Sequence, residues 1–216
     1  LEQPELLSTL GVAEQFGYRR HNAHLNDASA AKVDRDFATW RGHMNDLQAY
    51  DLASQTPVQQ LSTRVLAWFI GNKLDGEKFR LHNYPVNQLF GVQNGTPDFL
   101  INLHRIDDLR GAEDYLSRLH QFGRKFDQVI DGLALRERKG IVPPRFVIER
   151  VLAEMRAFIK PPAADNPLYR TFAAKVGKLP GLPDDDKQAP LARCTQAIDG
   201  GVMPAYRKLI SFFAAQ

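Results

Sequence analysis

Cysteine is almost absent from this sequence. Among the 216 residues only Cys194 carries a thiol, so the chain can form no internal disulfide bond. No histidine adjoins Cys194, and the residue falls within a predicted amphipathic helix. The sequence therefore indicates a buried, unreactive thiol and not a catalytic nucleophile.

Long apolar runs and a large charge of one sign are also missing. No segment is long and apolar enough to predict a transmembrane helix, and no basic stretch followed by an apolar one predicts a leader. The 28 basic and 25 acidic residues give a net charge of +3, which is too small to indicate nucleic acid as a partner. With 44% hydrophobic and 25% charged residues, the composition is that of a globular protein.

The sequence patterns of zinc peptidases and of nucleotide-binding enzymes are missing as well. A zinc-peptidase helix needs two histidines four residues apart and a glutamate beside the first, and none of the six histidines is followed by glutamate. His21 and His24 are three residues apart, but no carboxylate or thiolate is close to them in sequence, so we expect two solvated loop histidines. The segment from Gly91 to Gly95 lacks the lysine of a phosphate-binding loop. The sequence thus predicts no catalytic residue, no metal ligand and no cofactor in this chain.

Helical periodicity dominates the centre of the chain. One helix is predicted from Glu113 to Lys139, with Gly140 as its stop. Its apolar residues recur at steps of four and three along a face that must be buried: Tyr115, Leu119, Phe122, Phe126, Val129 and Leu133. A second helix is predicted to begin at Pro144 and end before Pro161. Its predicted buried face consists of Ile148, Leu152, Met155 and Ile159. The short connection between the two helices predicts antiparallel neighbours.

The flanking segments also favour helices, and nothing before Phe79 alternates for long enough to predict a strand. Helices are predicted from Pro4 to Leu10, from Ala28 to Tyr50, after a capping box at Thr56, from Pro167, and from Leu191 to Phe213 with a bend at Gly200, Gly201 and Pro204. The predicted buried face of the helix after Thr56 consists of Leu61, Val65, Trp68 and Phe69. The predicted fold class is all-α: a mostly antiparallel bundle of about six or seven helices in one domain over residues 1–216, with one irregular loop excursion between Arg80 and Arg110.

Five segments, taken in order, resemble the bacterial "domain of unknown function 885" family across nearly the whole chain. They run from Pro4 to Gly11, Tyr84 to Gly91, Ala112 to Leu119, Gly140 to Val147 and Val202 to Leu209. Members of that family are longer, and their C-terminal half carries a His-Glu helix and a further histidine similar to a zinc-peptidase motif. The resemblance implies that this chain is the N-terminal helical region of such a protein, with zinc bound only in the longer protein. It also implies an exported, periplasmic or lipid-anchored bacterial protein, because many members are of that kind.

Two functions remain open at the level of sequence. This region is either a helical wall that packs on the C-terminal half and shapes a substrate cleft of a metallopeptidase-like protein, or a non-catalytic helical binding or protein-interaction module. In the first case the chain alone is not an enzyme. Apolar residues on more than one face of the last helix, from Leu209 to Phe213, predict that this end contacts the C-terminal half or self-associates.

The candidate substrate-binding residues lie in and near the least helical stretch. They are Tyr84, Asn87, Gln88, His104 and Arg145. Asn87 and Gln88 carry both donors and acceptors in a turn-rich loop, which would suit the backbone of a peptide substrate. The alternative is that they tie the loop to its own helices. We expect His104 to close the loop against the first long helix and Arg145 to pair with Glu149 one turn on.

Overall fold

The computed structural model describes residues 3–181 and 183–216, and within them it contains α-helices, short 3-10 and π turns, and no strand. The helices are α1 (Pro4–Leu10), α2 (Val12–Gln15), α3 (Ala30–Gln48), α4 (Pro57–Asp75), α5 (Val92–Asp98), α6 (Leu109–His120), α7 (Phe122–Arg138), α8 (Arg145–Phe158), α9 (Pro167–Gly177), α10 (Asp184–Ala197) and α11 (Met203–Ala214). The predicted all-α class is confirmed. None of the helices in the described ranges is both long and apolar enough to cross a membrane.

The contacts within the chain define two compact units. The larger unit contains residues up to Asp27 and from Tyr84 onward, and the smaller unit contains Ala28–Asn83. The sequence predicts a single helical domain over residues 1–216 and shows no composition change at Ala28 or Asn83, so this division was not visible in it. Each unit is described separately.

The smaller unit is a pair of helices, α3 and α4, that pack against each other. The predicted capping box is confirmed: the Thr56 hydroxyl accepts from the Gln59 amide at 3.4 Å, and the Gln59 side chain accepts from the Thr56 amide at 2.9 Å. The predicted buried face of α4 is wrong. Leu61, Val65, Trp68 and Phe69 are all exposed, Trp68 by 70%, whereas Ile70 is buried. Two helices alone can bury only the stripe where they touch, so most apolar residues of α4 stay at the surface.

The core of the larger unit is formed by helices α6 to α11. The predicted stripe of α6 and α7 is buried throughout, and Phe122 and Phe126 have no exposed surface. The stripe does not belong to one continuous helix, however, because the helix is interrupted at Gln121. The Gln121 side chain donates to the carbonyl of Ala23 at 2.7 Å and accepts from the amide of Leu25 at 3.1 Å. This interruption thus attaches the N-terminal segment, residues 3–27, to the core.

Helix α8 follows the predicted stop at Gly140, which adopts a left-handed φ of 70°. Its buried residues are Val147, Val151 and Met155. The predicted face was therefore correct at Met155 but displaced elsewhere, since Ile148, Leu152 and Ile159 are half-buried. Because apolar residues lie on both sides of the buried stripe of α8, the sequence alone does not show which of them are buried.

The predicted irregular stretch from Arg80 to Arg110 is only partly irregular. Helix α5 and a following π turn at Phe99–Leu103 lie inside it, and α5 includes Gly95 and Pro97, two residue types that favour turns. The last predicted helix is interrupted as expected: a π turn at Ile198–Val202 separates α10 from α11. Cys194 is buried in α10, and burial raises the pKa of its thiol to about 12, so the thiol stays protonated.

A buried guanidinium joins the N-terminal segment to α6. Arg118 is fully buried, and its Nε donates to the carbonyl of His24 at 2.9 Å. One terminal nitrogen donates to the carbonyl of His21 at 3.0 Å and to the Ser8 hydroxyl at 2.6 Å, while the other contacts Nδ1 of His104. No carboxylate of the described residues bonds to this cation, so two backbone carbonyls, the Ser8 hydroxyl and His104 take its hydrogen bonds.

His21 is not the solvated residue that the sequence predicted. It is 1% exposed, and its Nε2 lies 2.9 Å from Oε1 of Glu14. The carboxylate that we did not find nearby is supplied by α2, seven residues earlier in the chain. His24 is exposed, as expected.

Candidate functional site

A groove on the larger unit lies among α5, α8 and α11 and is here called the α5 groove. It has a volume of about 290 Å³. Its lining residues are Gln93, Asn94, Pro97, Asp98, Ile101, Glu154, Met155, Phe158, Pro167 and Tyr206. Apolar side chains predominate, two carboxylates are present, and no basic side chain from the described part of the chain contributes. This combination of an apolar lining with a few polar groups is typical of a ligand site.

The floor of the α5 groove depends on a proline inside a helix. Pro97 has no amide hydrogen, so the carbonyl of Gln93 lacks the donor that residue 97 would otherwise supply. The hydroxyl of Tyr206 donates to that carbonyl instead. Burial, with a further contribution from the charge of Glu154, raises the pKa of Tyr206 well above its usual value. The hydroxyl therefore stays protonated and remains a donor, and it fixes α11 to α5.

Gln93 connects the groove to the loop that the sequence singled out. It is 3% exposed, and its Nε2 donates to the carbonyl of Asn87 at 2.7 Å and to Glu154 at 3.3 Å. A Cβ on Gly91 would lie 2.0 Å from Oε1 of Gln93, so only glycine allows this approach. Within the described residues, Oε1 of Gln93 and Oδ1 of Asn94 are buried without a hydrogen-bond partner. This wall of the groove consequently has more acceptors than donors.

The charged residues of the α5 groove favour a positively charged ligand. Glu154 and Asp98 are exposed carboxylates at its edge, and Asp98 also accepts from the side-chain amide of Asn102 at 2.6 Å. Phe158 and Ile101 supply apolar surface between them. A ligand that matches this lining carries N–H donors or a positive charge next to an apolar group.

The predicted binding loop is held by its own asparagine. The Nδ2 of Asn87 donates to the carbonyl of Tyr84 at 2.9 Å, and its Oδ1 accepts from the amides of Leu89 at 2.9 Å and Phe90 at 2.8 Å. For Asn87 the structure thus shows the loop-tying alternative. The same contacts present Leu89 and Phe90 to solvent, Phe90 with 89% of its surface exposed. Tyr84 is exposed and Gln88 is half-buried in this loop.

His104 closes the loop against α6, as the sequence predicted. It is 2% exposed, its Nε2 lies 3.0 Å from the carbonyl of Gly111, and its Nδ1 faces Arg118. Because a carbonyl only accepts and a guanidinium only donates, the ring must be neutral with its hydrogen on Nε2. Burial and the charge of Arg118 lower the pKa of His104 to about 3. These contacts leave neither ring nitrogen available to a ligand.

Arg145 lies elsewhere. Its Nε donates to Glu149 at 2.9 Å, which confirms the predicted pair, and its side chain is exposed. It lines a shallow depression of about 710 Å³ together with Phe213 and the last residues of the chain. The five predicted residues therefore occupy three places: the loop, the core and this depression. Their role in substrate binding stays a prediction.

The sequence analysis missed the residues that line the α5 groove, above all Gln93, Glu154 and Tyr206. One signal was present, because a proline four residues after Gln93 frees a carbonyl if the segment is helical. The turn-forming residues around Pro97 concealed that signal by predicting a loop. Across the described ranges, no three His, Cys, Asp or Glu side chains come together in a way that could hold a metal ion.

Comparison with known proteins gives a family and a fold. The family described as "Bacterial protein of unknown function (DUF885)" matches residues 4–216. A crystal structure of "the putative lipoprotein from Colwellia psychrerythraea" matches with a TM-score of 0.85 at 17% identity, covering 99% of this chain and 39% of that one. At this identity the likeness shows the fold alone, and this chain spans about 39% of the length of that structure. No curated protein matches the chain.

Proposed function

Because the chain belongs to the DUF885 family of bacterial proteins of unknown function, we propose that it is the helical region of a metallopeptidase-like protein and shapes a substrate cleft without carrying the metal site. The α5 groove supports this proposal, since it offers acceptors and carboxylates over an apolar floor. Zinc and the attacking water would come from the rest of the longer protein. We also propose that the protein is exported or lipid-anchored, with the description of the Colwellia protein as the support.

The substrate that fits the α5 groove is a peptide. The carboxylates of Glu154 and Asp98 favour a terminal ammonium or a basic side chain, and the apolar lining accommodates the side chain next to it. The volume of about 290 Å³ lies at the lower end of ligand pockets, so the groove accepts one or two residues of a longer substrate. Leu89 and Phe90 at the loop tip extend the apolar surface that such a substrate can contact.

This region would contribute to catalysis by binding the substrate. A contact far from the reacting bond that is equally strong in the ground state and the transition state lowers KM and leaves kcat unchanged. Removing the charge of Glu154 should therefore raise KM for a peptide with a basic end. A hydrogen bond to a charged group is worth about 1.5 kcal/mol or more, which corresponds to roughly a tenfold change.

The test uses the product of the complete reading frame. We expect it to retain zinc and to hydrolyse a peptide that carries an N-terminal arginine followed by an apolar residue. Glu154→Gln should raise KM about tenfold with little change in kcat. Glu113→Gln is the matched control, because Glu113 lies outside the groove and pairs with Arg193 at the surface. Absence of zinc-dependent hydrolysis, or equal KM values for both variants, would refute the proposal.

The alternative is a non-catalytic binding or interaction module, and one observation favours it. Leu61, Val65 and Trp68 lie on one side of α4 and are exposed, an apolar surface typical of protein contacts. Self-association through the end of α11 belongs to this alternative. There, Leu209 and Phe213 are buried, so the available apolar surface is reduced to the half-buried Ile210 and Phe212. Ligand binding that persists in a complete protein without hydrolytic activity would support the module.

A further inference from the structure

Helix α4 of the smaller unit presents large apolar side chains to solvent. Four of them recur at steps of three and four residues, which places them in one stripe along the helix. This stripe is here called the α4 face and consists of Val58, Leu61, Val65 and Trp68. Between 56% and 74% of the surface of each of these residues is exposed. An apolar surface of this kind usually marks a contact with something other than water.

The opposite side of α4 packs on α3. A Cβ added to Gly71 would lie 3.9 Å from Cε of Met44 on α3. The buried and half-buried residues of α4 recur with the helical period on this side, half a turn away from the α4 face: Gln60, Thr63, Ala67, Ile70, Gly71 and Leu74. Most of these side chains are small or polar, whereas the larger apolar ones point away from α3. The helix pair therefore does not bury the α4 face by itself.

The charges along α4 beside this face have one sign. Residues 52–74 contain no aspartate or glutamate, and their only charged side chains are Arg64 and Lys73. Both are exposed, and neither forms an ion pair with any described residue. Arg64 lies one turn from Leu61 and from Trp68. Nζ of Lys73 lies 5.4 Å from the centre of the Phe69 ring. The α4 face is thus accompanied by cations alone.

These charges distinguish between the occupants that an apolar face can have. A second copy of the chain would bring the same two cations to the contact, and like charges repel each other. An anionic bilayer offers the opposite charge along its whole surface, and lysine and arginine reach its headgroups while their stems cover apolar groups. The charges of α4 therefore favour an anionic bilayer.

The most prominent side chain of the α4 face agrees with this choice. Trp68 is 70% exposed, although burying a tryptophan ring in a core would be strongly favourable. Tryptophan is enriched at the boundary between membrane and water, because its ring is apolar and its N–H group can bond to a headgroup. Trp68 and Arg64, one turn apart, together match the apolar and the charged layer of a bilayer surface.

We propose that the α4 face binds the surface of an anionic lipid bilayer, with α4 parallel to the membrane plane. Its four apolar side chains enter the boundary between headgroups and acyl chains, and Arg64 and Lys73 contact lipid phosphates. Helices at an interface bury their apolar face about 5 to 10 Å deep, a depth that one stripe of side chains can span. Helix α3 stays on the aqueous side, because it packs on the opposite side of α4. This binding goes beyond the proposed function and depends neither on peptidase activity nor on a lipid anchor.

Trp68 itself reports on the contact. The chain contains two tryptophans, so Trp40→Phe leaves Trp68 as the single one. This variant of the 216-residue chain is titrated with vesicles of phosphatidylglycerol and phosphatidylcholine in equal parts, and with vesicles of phosphatidylcholine alone. We expect the emission of Trp68 to move to shorter wavelength with the anionic vesicles, and binding at least tenfold weaker to the others. No shift with the anionic vesicles, or equal binding to both kinds, would overturn the proposal.

Substitutions of apolar residues locate the contact. Leu61→Ser combined with Val65→Ser should weaken binding to the anionic vesicles at least tenfold. Both residues are exposed, so the circular dichroism spectrum and the melting temperature should change little. Val142→Ser combined with Phe146→Ser is the matched control, because it removes two exposed apolar side chains from the larger unit and should leave binding unchanged. Equal binding by the two double variants would contradict the assignment to α4.

The contribution of charge is tested separately. Arg64→Gln should weaken binding to the anionic vesicles about fivefold and leave binding to phosphatidylcholine unchanged. Arg150→Gln on α8 is its control, since it removes the same charge from an exposed position on the larger unit. If Arg64→Gln binds the anionic vesicles as tightly as Arg150→Gln does, the cations of α4 are not in contact with the bilayer and the proposal fails.

Two further results would assign the α4 face to another occupant and overturn the proposal. One is a shift of the Trp68 emission with chain concentration in the absence of vesicles, together with a dimer in sedimentation, which would show that a second copy covers the face. The other concerns the product of the complete reading frame. If it does not sediment with anionic vesicles that bind the 216-residue chain, the rest of the longer protein covers the face.

Discussion

Replacing Tyr206 with phenylalanine removes one hydroxyl from the core and nothing else. That hydroxyl is the donor to the carbonyl of Gln93, and Pro97 cannot replace it because proline has no amide hydrogen. The carbonyl would then be buried without a partner, at a cost of about 1 to 3 kcal/mol in the free energy of unfolding. Because domains of this kind are stable by only about 5 to 15 kcal/mol, the loss is easily measured.

A second substitution makes this prediction specific. Pro97→Ala restores the amide that an α-helix normally directs at the carbonyl four residues earlier. In the Pro97→Ala background, Tyr206→Phe should therefore cost less than in the wild type, with a coupling free energy of about 1 to 2 kcal/mol. Urea unfolding followed by circular dichroism at 222 nm gives all four free energies of the double-mutant cycle.

The control is Tyr50→Phe, which removes an exposed hydroxyl from the smaller unit and should change the unfolding midpoint little. Strictly additive effects of Tyr206→Phe and Pro97→Ala would refute the reasoning, because the two changes would then act on different groups. A Tyr206→Phe variant as stable as the wild type would do so as well.

Four further predictions concern the whole chain. The pKa of His104 is about 3 in the folded state against 6.5 for the free side chain. Its contribution to stability is therefore present above pH 6.5 and is lost as the pH falls toward 3, by about 1.4 kcal/mol per pH unit. If the urea midpoint of the wild type exceeds that of His104→Gln by the same amount from pH 7 to pH 4, this prediction is contradicted. Phe126→Ala should destabilise by about 3 to 5 kcal/mol because the ring is fully buried, and an unchanged melting temperature would show that it is not. Elemental analysis after dialysis should find far less than one equivalent of zinc per chain, and one retained equivalent would overturn that expectation. Sedimentation should show less self-association for Phe212→Ser than for the wild type, whereas a wild type that stays monomeric at high concentration rules out this contact.

The sequence predicts a helix correctly where its structure depends on residues that are close together in the chain. The stripe that includes Tyr115, Phe122 and Phe126 was found because its residues recur with the helical period and all face the core. The break at Gln121 was not found, since its partners Ala23 and Leu25 are 98 and 96 residues away in the chain. A local pattern contains no information about such distant contacts.

The same limit applies to the candidate site. The loop around Asn87 was recognised because turn-forming residues are local signals. The α5 groove was missed because Gln93 meets Glu154 across 61 residues and Tyr206 across 113 residues. The prediction for α4 was wrong for another reason. The helical period correctly identifies an apolar face that includes Trp68, but a pair of helices leaves that face exposed.

The buried Arg118 also determines when the N-terminal segment can pack on the rest of the protein during synthesis. The acceptors of its guanidinium include the Ser8 hydroxyl and the carbonyl of His21, which precede it by 110 and 97 residues. At about 5 to 20 residues per second, a ribosome needs roughly 5 to 20 s to add the residues that separate them. The N-terminal segment must therefore wait, undocked, until α6 emerges. During that time it is a target for chaperones and proteases, although it is made before α6.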